Sequence, residues 1–205
     1  KGQLIESKGS YFSGQNPLAV TYTYDDFNRI TSETTVGLNP VQYQYEQNNG
    51  LYTTKVTMPN GKFAYSTIDP TGLVVRSEDN GGEVVHKYNS MDQVKETYVN
   101  GVMMAQIAYD PMGYQTLLTE PNIGNTIYEN DALGRLLKQT ENNGDIKTFV
   151  YDEFGRLTST DGTEGLTNYS YVAQGSTGFG AIESVTAPNG YVNSFPMKIF
   201  HTIDC

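Results

Sequence analysis

Along most of the chain, apolar and aromatic residues alternate with polar ones at a spacing of two, and no run keeps the spacing of a helix face. The alternation is broken at regular intervals by an acidic or amide residue. With Asp152 as slot zero, the earlier zeros are Asp131, Asp110, Asn89, Asp69, Glu46 and Asp25, at steps of 21, 21, 21, 20, 23 and 21 residues. A fixed period in this range is the mark of a repeat architecture. Three residues after zero stand Asn28, Asn49, Gly72, Asp92, Gly113, Gly134 and Gly155, all of them types that enter the left-handed region at least cost. Five residues after zero, Ile30, Leu51, Val74, Val94, Leu136 and Leu157 are apolar, and Gln115 is the exception.

The residue before zero is Tyr24, Tyr45, Ile68, Tyr88, Tyr109, Asn130 or Tyr151, and the one three before it is Tyr22, Tyr43, Ser66, His86, Ile107, Tyr128 or Phe149. These two slots share one face of a strand, so most repeats carry apolar or aromatic bulk there. A slot-zero Asp accepts hydrogen bonds from its own backbone, and a positive-φ residue three positions on reverses the chain into a bulged hairpin. A second punctuation follows at Gly37, Asn60-Gly61, Asn80-Gly81, Asn100-Gly101, Gly124, Asn143-Gly144 and Gly162. Each repeat is therefore strand, tight turn, strand, turn, with strands of roughly 20 to 27 Å. The predicted fold is all-β, a chain of hairpins in one long antiparallel sheet. A parallel β-helix shares the period, but the turn halfway through each repeat reverses the chain and favours hairpins.

Composition agrees with this picture and narrows the function. The 205 residues hold 16 Tyr, 8 Phe, 21 Gly and no Trp, which suits a turn-rich β chain. A net charge of −10 supplies no basic stripe for nucleic acid. Cys205 is the single cysteine, so no internal disulfide forms. No apolar run approaches a membrane span, and no signal peptide opens the chain. The array is read as residues 1–175, with 176–205 a degenerate last repeat and ragged end. Tyr169 and Tyr171 keep the aromatic slots there while Val172 replaces Asp. Gly2-Gln3-Leu4 fits slots +3 to +5 of a repeat already under way, so the chain reads as a segment of something larger with open sheet edges that could self-associate.

Tyr151-Asp152-Glu153-Phe154-Gly155-Arg156-Leu157-Thr158 resembles the Y-D-x-x-G-R-L-T signature of the RHS/YD-repeat family. Asp131 to Leu136 matches it with Asn130 in the Tyr slot, and Tyr24 to Thr31 matches with Asn28 for Gly. The middle repeats keep the spacing but carry Gly50, Leu73, Gln93 and Tyr114 in the Arg slot. The resemblance implies a long curved antiparallel sheet, a segment of the spiralling β-shell of Rhs toxins, toxin-complex B/C components and teneurins. It implies further a secreted or surface protein of bacterial type that encloses or scaffolds a C-terminal toxin domain, its cargo polypeptide. The expectation is a structural protein, not an enzyme, with no cofactor. Its structural residues are the turn makers Asp25, Asp69, Asp110, Asp131, Asp152, Gly72, Gly113, Gly134 and Gly155, and the aromatics Tyr24, Tyr45, Tyr88, Tyr109 and Tyr151.

The same residues bear on other chemistries. A calcium site needs several converging carboxylates, and the repeat supplies about one per turn. The two Asp-Pro-x-Gly stretches at Asp69 and Asp110 resemble an element near the self-cleavage region of RHS shells, so a self-cleaving aspartic protease is a remote alternative. Such chemistry requires two carboxylates sharing a proton, whereas Pro at the second position of a type I turn accounts for both stretches. His86 and His201 lack the spacing of a zinc site. The closer alternative is an adhesin whose tyrosines bind a glycan or a cell-surface receptor.

Overall fold

The computed structural model describes residues 2–10, 12, 14 and 17–195, and His201 and Cys205 lie outside the described residues. Every element among the described residues is a strand. The chain divides into two compact units, Lys1–Gln106 and Ile107–Cys205.

The first unit is built from β1 (Glu6–Lys8), β2 (Ala19–Tyr24), β3 (Ile30–Thr35), β4 (Val41–Asn48), β5 (Leu51–Thr57), β6 (Phe63–Ile68), β7 (Val74–Asp79), β8 (Gly82–Tyr88) and β9 (Val94–Val99). The strand β10 (Val102–Tyr109) begins in it. Each of these strands pairs antiparallel with the next in sequence, through to β9 with β10. The second unit continues with β11 (Gln115–Glu120), β12 (Gly124–Asn130), β13 (Leu136–Thr140), β14 (Ile146–Tyr151), β15 (Leu157–Asp161), β16 (Thr167–Tyr171), β17 (Ile182–Thr186) and β18 (Val192–Ser194). From β11 to β18 the same nearest-neighbour antiparallel pairing holds. Antiparallel ladders throughout rule out the parallel β-helix, whose coils would pair strands running the same way.

Neither unit has a conventional core. Among the described residues Ala19 is the single buried apolar side chain, joined by Thr67, Thr126 and Thr160, and none is fully enclosed. Stability must come from the ladder hydrogen bonds, the turns and contacts between side chains on the same face. The slot-zero turns are therefore uniform. In the repeats of Asp25, Asp69, Asn89, Asp110, Asp131 and Asp152, the N–H of slot zero donates to the carbonyl at +4 at 2.9 Å in every case. The N–H at +3 donates back to the slot-zero carbonyl at 3.0 to 3.2 Å. A one-residue register shift follows, so that Tyr24 faces Ile30, Ile68 faces Val74, Tyr88 faces Val94 and Tyr151 faces Leu157. Such bulges raise local twist and end the pairing cleanly at the turn.

One repeat departs from the expected spacing. Glu46 does not open a turn; β4 runs through it to Asn48, with Glu46 opposite Thr53 and Asn48 opposite Leu51. Asn49 and Gly50, both at positive φ (50° and 81°), make a two-residue turn instead. Glu is one methylene too long to cap its own backbone as Asp does, while Asn-Gly is the strongest signal for a two-residue hairpin. The Asn-Gly pair wins.

The +3 slot shows why glycine is used where it is. Gly155 (φ 78°) has open space around a hypothetical Cβ, the nearest atom being Arg135 Nη1 at 3.8 Å, whereas at Gly134 (φ 80°) a Cβ would lie 2.4 Å from the Tyr114 ring. Gly155→Ala should lower stability by about 1 kcal/mol from backbone strain alone, and Gly134→Ala by roughly 2 to 3 kcal/mol because the ring must also move. Urea unfolding midpoints give the order directly; equal losses at the two positions would mean that the Tyr114 ring does not rest on Gly134.

Candidate functional site

The repeated feature is a bracket at one end of each hairpin, and it begins with one oxygen. Asp25, Asp69, Asp110, Asp131 and Asp152 each accept two backbone N–H groups on Oδ1, from +2 at 2.9 Å and from +4 at 2.9 to 3.0 Å. Asn89 does the same with its amide oxygen, at 2.9 and 3.0 Å. The acceptor oxygen is what the turn needs, and a negative charge is not. The charge matters where slot +4 is Arg. Arg29, Arg135 and Arg156 donate Nε–H to Oδ2 of Asp25, Asp131 and Asp152 at 2.7, 2.6 and 2.7 Å.

Held this way, each guanidinium lies over an aromatic ring of the following repeat. Arg29 sits 4.3 Å from the Tyr45 ring centre, Arg135 5.0 Å from Tyr151 and Arg156 4.5 Å from Tyr171. The tyrosine in turn reaches back. Its hydroxyl donates to the +5 carbonyl of the preceding repeat: Tyr24 to Leu4, Tyr45 to Ile30 and Tyr171 to Leu157 at 2.8 Å, Tyr88 to Val74 at 2.7 Å, and Tyr151 to Leu136 at 3.0 Å. Tyr109 closes β10 half-buried, and burial pushes its phenol above the ordinary value. Asp, Arg, Tyr and carbonyl thus form a chain of contacts running from one repeat to the next.

The opposite ends of the hairpins carry a second ladder that the period does not announce. The amide oxygen of Asn80 accepts the N–H of Phe63 at 2.9 Å, Asn100 that of Glu83 at 2.8 Å, and Asn142 that of Asn125 at 3.4 Å. Each of these links spans seventeen residues. Asn80 and Asn100 belong to the Asn-Gly steps that punctuate the sequence, and Asn142 directly precedes one. Also unannounced is slot +2 of the slot-zero turns, which outside Thr71 is apolar and exposed: Phe27 (78 %) and Met91 (46 %) in the first unit, and Met112 (66 %), Leu133 (75 %) and Phe154 (52 %) in the second. Of these, Phe154 meets Phe179 edge-on at 5.5 Å, from the longer loop between β16 and β17.

Electrostatics follow from the same contacts. Backbone and side-chain hydrogen bonds from Arg29 hold the Asp25 carboxyl below its usual 3.8. The Thr71 hydroxyl and the turn's backbone do the same for Asp69. At Asp131 and Asp152 desolvation pushes upward, but bonds and charge from Arg135 and Arg156 outweigh it and both carboxyls end below 3.8. Oδ1 of Asp69 and of Asp110 is committed to its own turn, an arrangement that serves turn-making and not proton sharing. His86 binds the Thr97 hydroxyl through Nδ1 at 3.1 Å and leans on Tyr88. Among the described residues no group of three His, Cys, Asp or Glu side chains is placed to hold a metal ion, and no helix is long and apolar enough to cross a membrane.

Similar hairpins linked by side-chain contacts from one repeat to the next define a β-hairpin repeat array. Residues 131–167 match the RHS repeat family. No curated protein shows significant sequence similarity to it. Its fold is similar to that of a TcdB2–TccC3–TEV crystal structure, with TM-score 0.64 and 17% identity over 83% of this chain and 10% of that one. The Photorhabdus luminescens Tc holotoxin pore gives TM-score 0.64 and 17% identity over 90% of this chain and 11% of that one. A TcdB2–TccC3 crystal structure gives TM-score 0.63 and 18% identity over 82% and 10%. The chain thus spans about a tenth of the length of the chains it resembles.

Two predictions come from the bracket. Replacing Tyr151 by Phe should cost about 0.5 to 1.5 kcal/mol through the lost hydroxyl bond. Combined with Arg135→Met in a double-mutant cycle, Tyr151→Ala should show a coupling of roughly 0.5 to 1 kcal/mol; additive losses would mean that the stacked pair is incidental. The second concerns acid. Because the folded carboxyls titrate below 3.8, their contribution is complete above that value and disappears as pH falls through the folded values. Thermal melting should therefore be flat from neutrality down to about that region and decline below it. Asp69→Asn, which keeps the acceptor as Asn89 does, should fold normally at neutral pH and soften the acid decline.

Proposed function

We propose that this array is a wall segment of an RHS-type shell that encloses or scaffolds a cargo polypeptide, a C-terminal toxin domain of a large secreted or surface protein. The observation that carries the reading is the Asp–Arg–Tyr–carbonyl chain. The full set recurs at Asp25, Asp131 and Asp152, and most other repeats keep part of it, so the sheet can be extended by further repeats without new chemistry. Because the units lack a core of their own, such a sheet is suited to surrounding something else. Its action is mechanical, keeping a polypeptide from solvent and proteases, with no catalytic step. The glycan-binding alternative is disfavoured by the same contacts, since Tyr45, Tyr151 and Tyr171 already have a guanidinium on one ring face and their hydroxyls on backbone carbonyls.

The test is the size and protease sensitivity of the native polypeptide in source cells, detected with an antibody raised to this chain. The expected band is several times heavier than 22.7 kDa, with a segment outside the array that resists limited proteolysis until acid or denaturant opens the sheet. A band near 22.7 kDa, or a heavier one whose remainder is cut at once, would overturn enclosure.

A further inference from the structure

The chain contains six Asn-Gly steps, at Asn49, Asn60, Asn80, Asn100, Asn143 and Asn189. Asn-Gly is the dipeptide most open to an internal reaction, because glycine presents its backbone nitrogen to the asparagine side chain without steric cover. In that reaction the Gly N attacks Cγ of Asn, the C–N bond to the amide nitrogen breaks, and ammonia leaves. A five-membered succinimide remains. Water then opens it at either carbonyl, giving Asp or the isomer in which the backbone runs through the side-chain carbonyl. The reaction is neither oxidative nor reductive, and water is its only co-reactant.

Five of the six steps are held back by the fold. Reaching the Gly N requires Cγ to swing, and the side-chain oxygen that moves with it is anchored in each case. Asn80 and Asn100 accept the N–H groups of Phe63 and Glu83 on the neighbouring repeat at 2.9 and 2.8 Å. Asn60 accepts the Lys62 N–H at 3.1 Å, and Asn189 the Tyr191 N–H at 3.0 Å. Asn143 is held twice, accepting the Asp145 N–H at 2.9 Å and donating to its carboxylate at 2.8 Å. The Asn49 side chain makes no hydrogen bond, and the residue is exposed at the tip of the β4–β5 hairpin.

The comparison with Asn100 isolates the cause. Both asparagines sit in two-residue turns of the same geometry, Asn49-Gly50 at φ 50° and 81° and Asn100-Gly101 at φ 50° and 76°. Both join strands that pair directly on either side, Asn48 with Leu51 and Val99 with Val102. What differs is the link to the next repeat, which Asn100 has and Asn49 lacks.

We propose that Asn49-Gly50 is a self-modifying site, the position at which this protein forms succinimide and then isoaspartate. The consequence falls on the hairpin that carries it. The isomer inserts an extra backbone methylene between two residues that must both hold positive φ, and either product adds a negative charge at the tip. The β4–β5 hairpin is loosened while the other five turns stay intact.

Incubating the whole chain in mildly alkaline buffer at physiological temperature, followed by peptide mapping with mass spectrometry, reads each of the six steps in one experiment. Deamidated and isomerised peptide is expected first at Asn49, roughly tenfold faster than at Asn100, the factor for breaking one anchoring hydrogen bond. In denaturant, where every anchor is gone, the two rates should converge. Asn100 reacting as fast as Asn49 in the folded chain would overturn the proposal. So would a gap of the same size in denaturant, since it would then arise from the adjoining residues and not from the fold.

Discussion

The structure depends on one oxygen atom per repeat. A sheet without a core cannot be held by buried apolar area, so its turns must be fixed locally. Oδ1 of the slot-zero residue does this by collecting two backbone N–H groups that would otherwise face solvent in the tightest part of the chain. That Asn89 makes the same pair of bonds as its Asp counterparts separates the two roles of the residue. The acceptor shapes the turn, and the charge aims an arginine.

Aimed arginines turn a row of hairpins into a cooperative object. Each link is small, a hydroxyl bond of about 1 kcal/mol and a cation over a ring of roughly 0.5 to 1 kcal/mol. Where such links follow one another from repeat to repeat, stability accumulates from nearest-neighbour terms. The one place where the aromatic changes owner supports this account. In the repeat of Asp110 the Arg slot holds Tyr114, whose ring lies on Gly134 of the next repeat, and there the Tyr slot holds Asn130. Asn130 donates its amide to the Gln115 carbonyl at 2.9 Å, the bond a tyrosine hydroxyl makes elsewhere. Ring and donor are both still present, supplied from different positions.

Most of the fold was legible because hairpins are local: period-two alternation, Asp or Asn at zero and a left-handed residue at +3 define strand, turn and bulge within a few residues of one another. What stayed hidden is what acts between repeats. The Asn80, Asn100 and Asn142 links cross seventeen residues, and an asparagine that serves its own turn looks in sequence like one that serves its neighbour's. Spacing alone places Glu46 at slot zero. It does not register the length of a side chain, and a competing Asn-Gly three residues along has the better local chemistry.

The two letters of the signature divide their work. At Glu46 the turn-making Asp is replaced, yet Tyr45 still bonds the Ile30 carbonyl and still lies under Arg29. At Asp131 the tyrosine half is gone, yet the turn keeps every bond of its counterparts. The aromatic serves the repeat before it and the aspartate serves its own, so either can be lost without the other. The loss does carry forward by one step. With no bulged turn after Glu46, β5 offers no +5 carbonyl in the usual place, and the next −1 residue is Ile68, which faces Tyr52 and has no hydroxyl to give. At Tyr88 the hydroxyl bond to the preceding repeat returns. A repeat array can therefore absorb a defect at the cost of one link, which is the tolerance that divergent copies require.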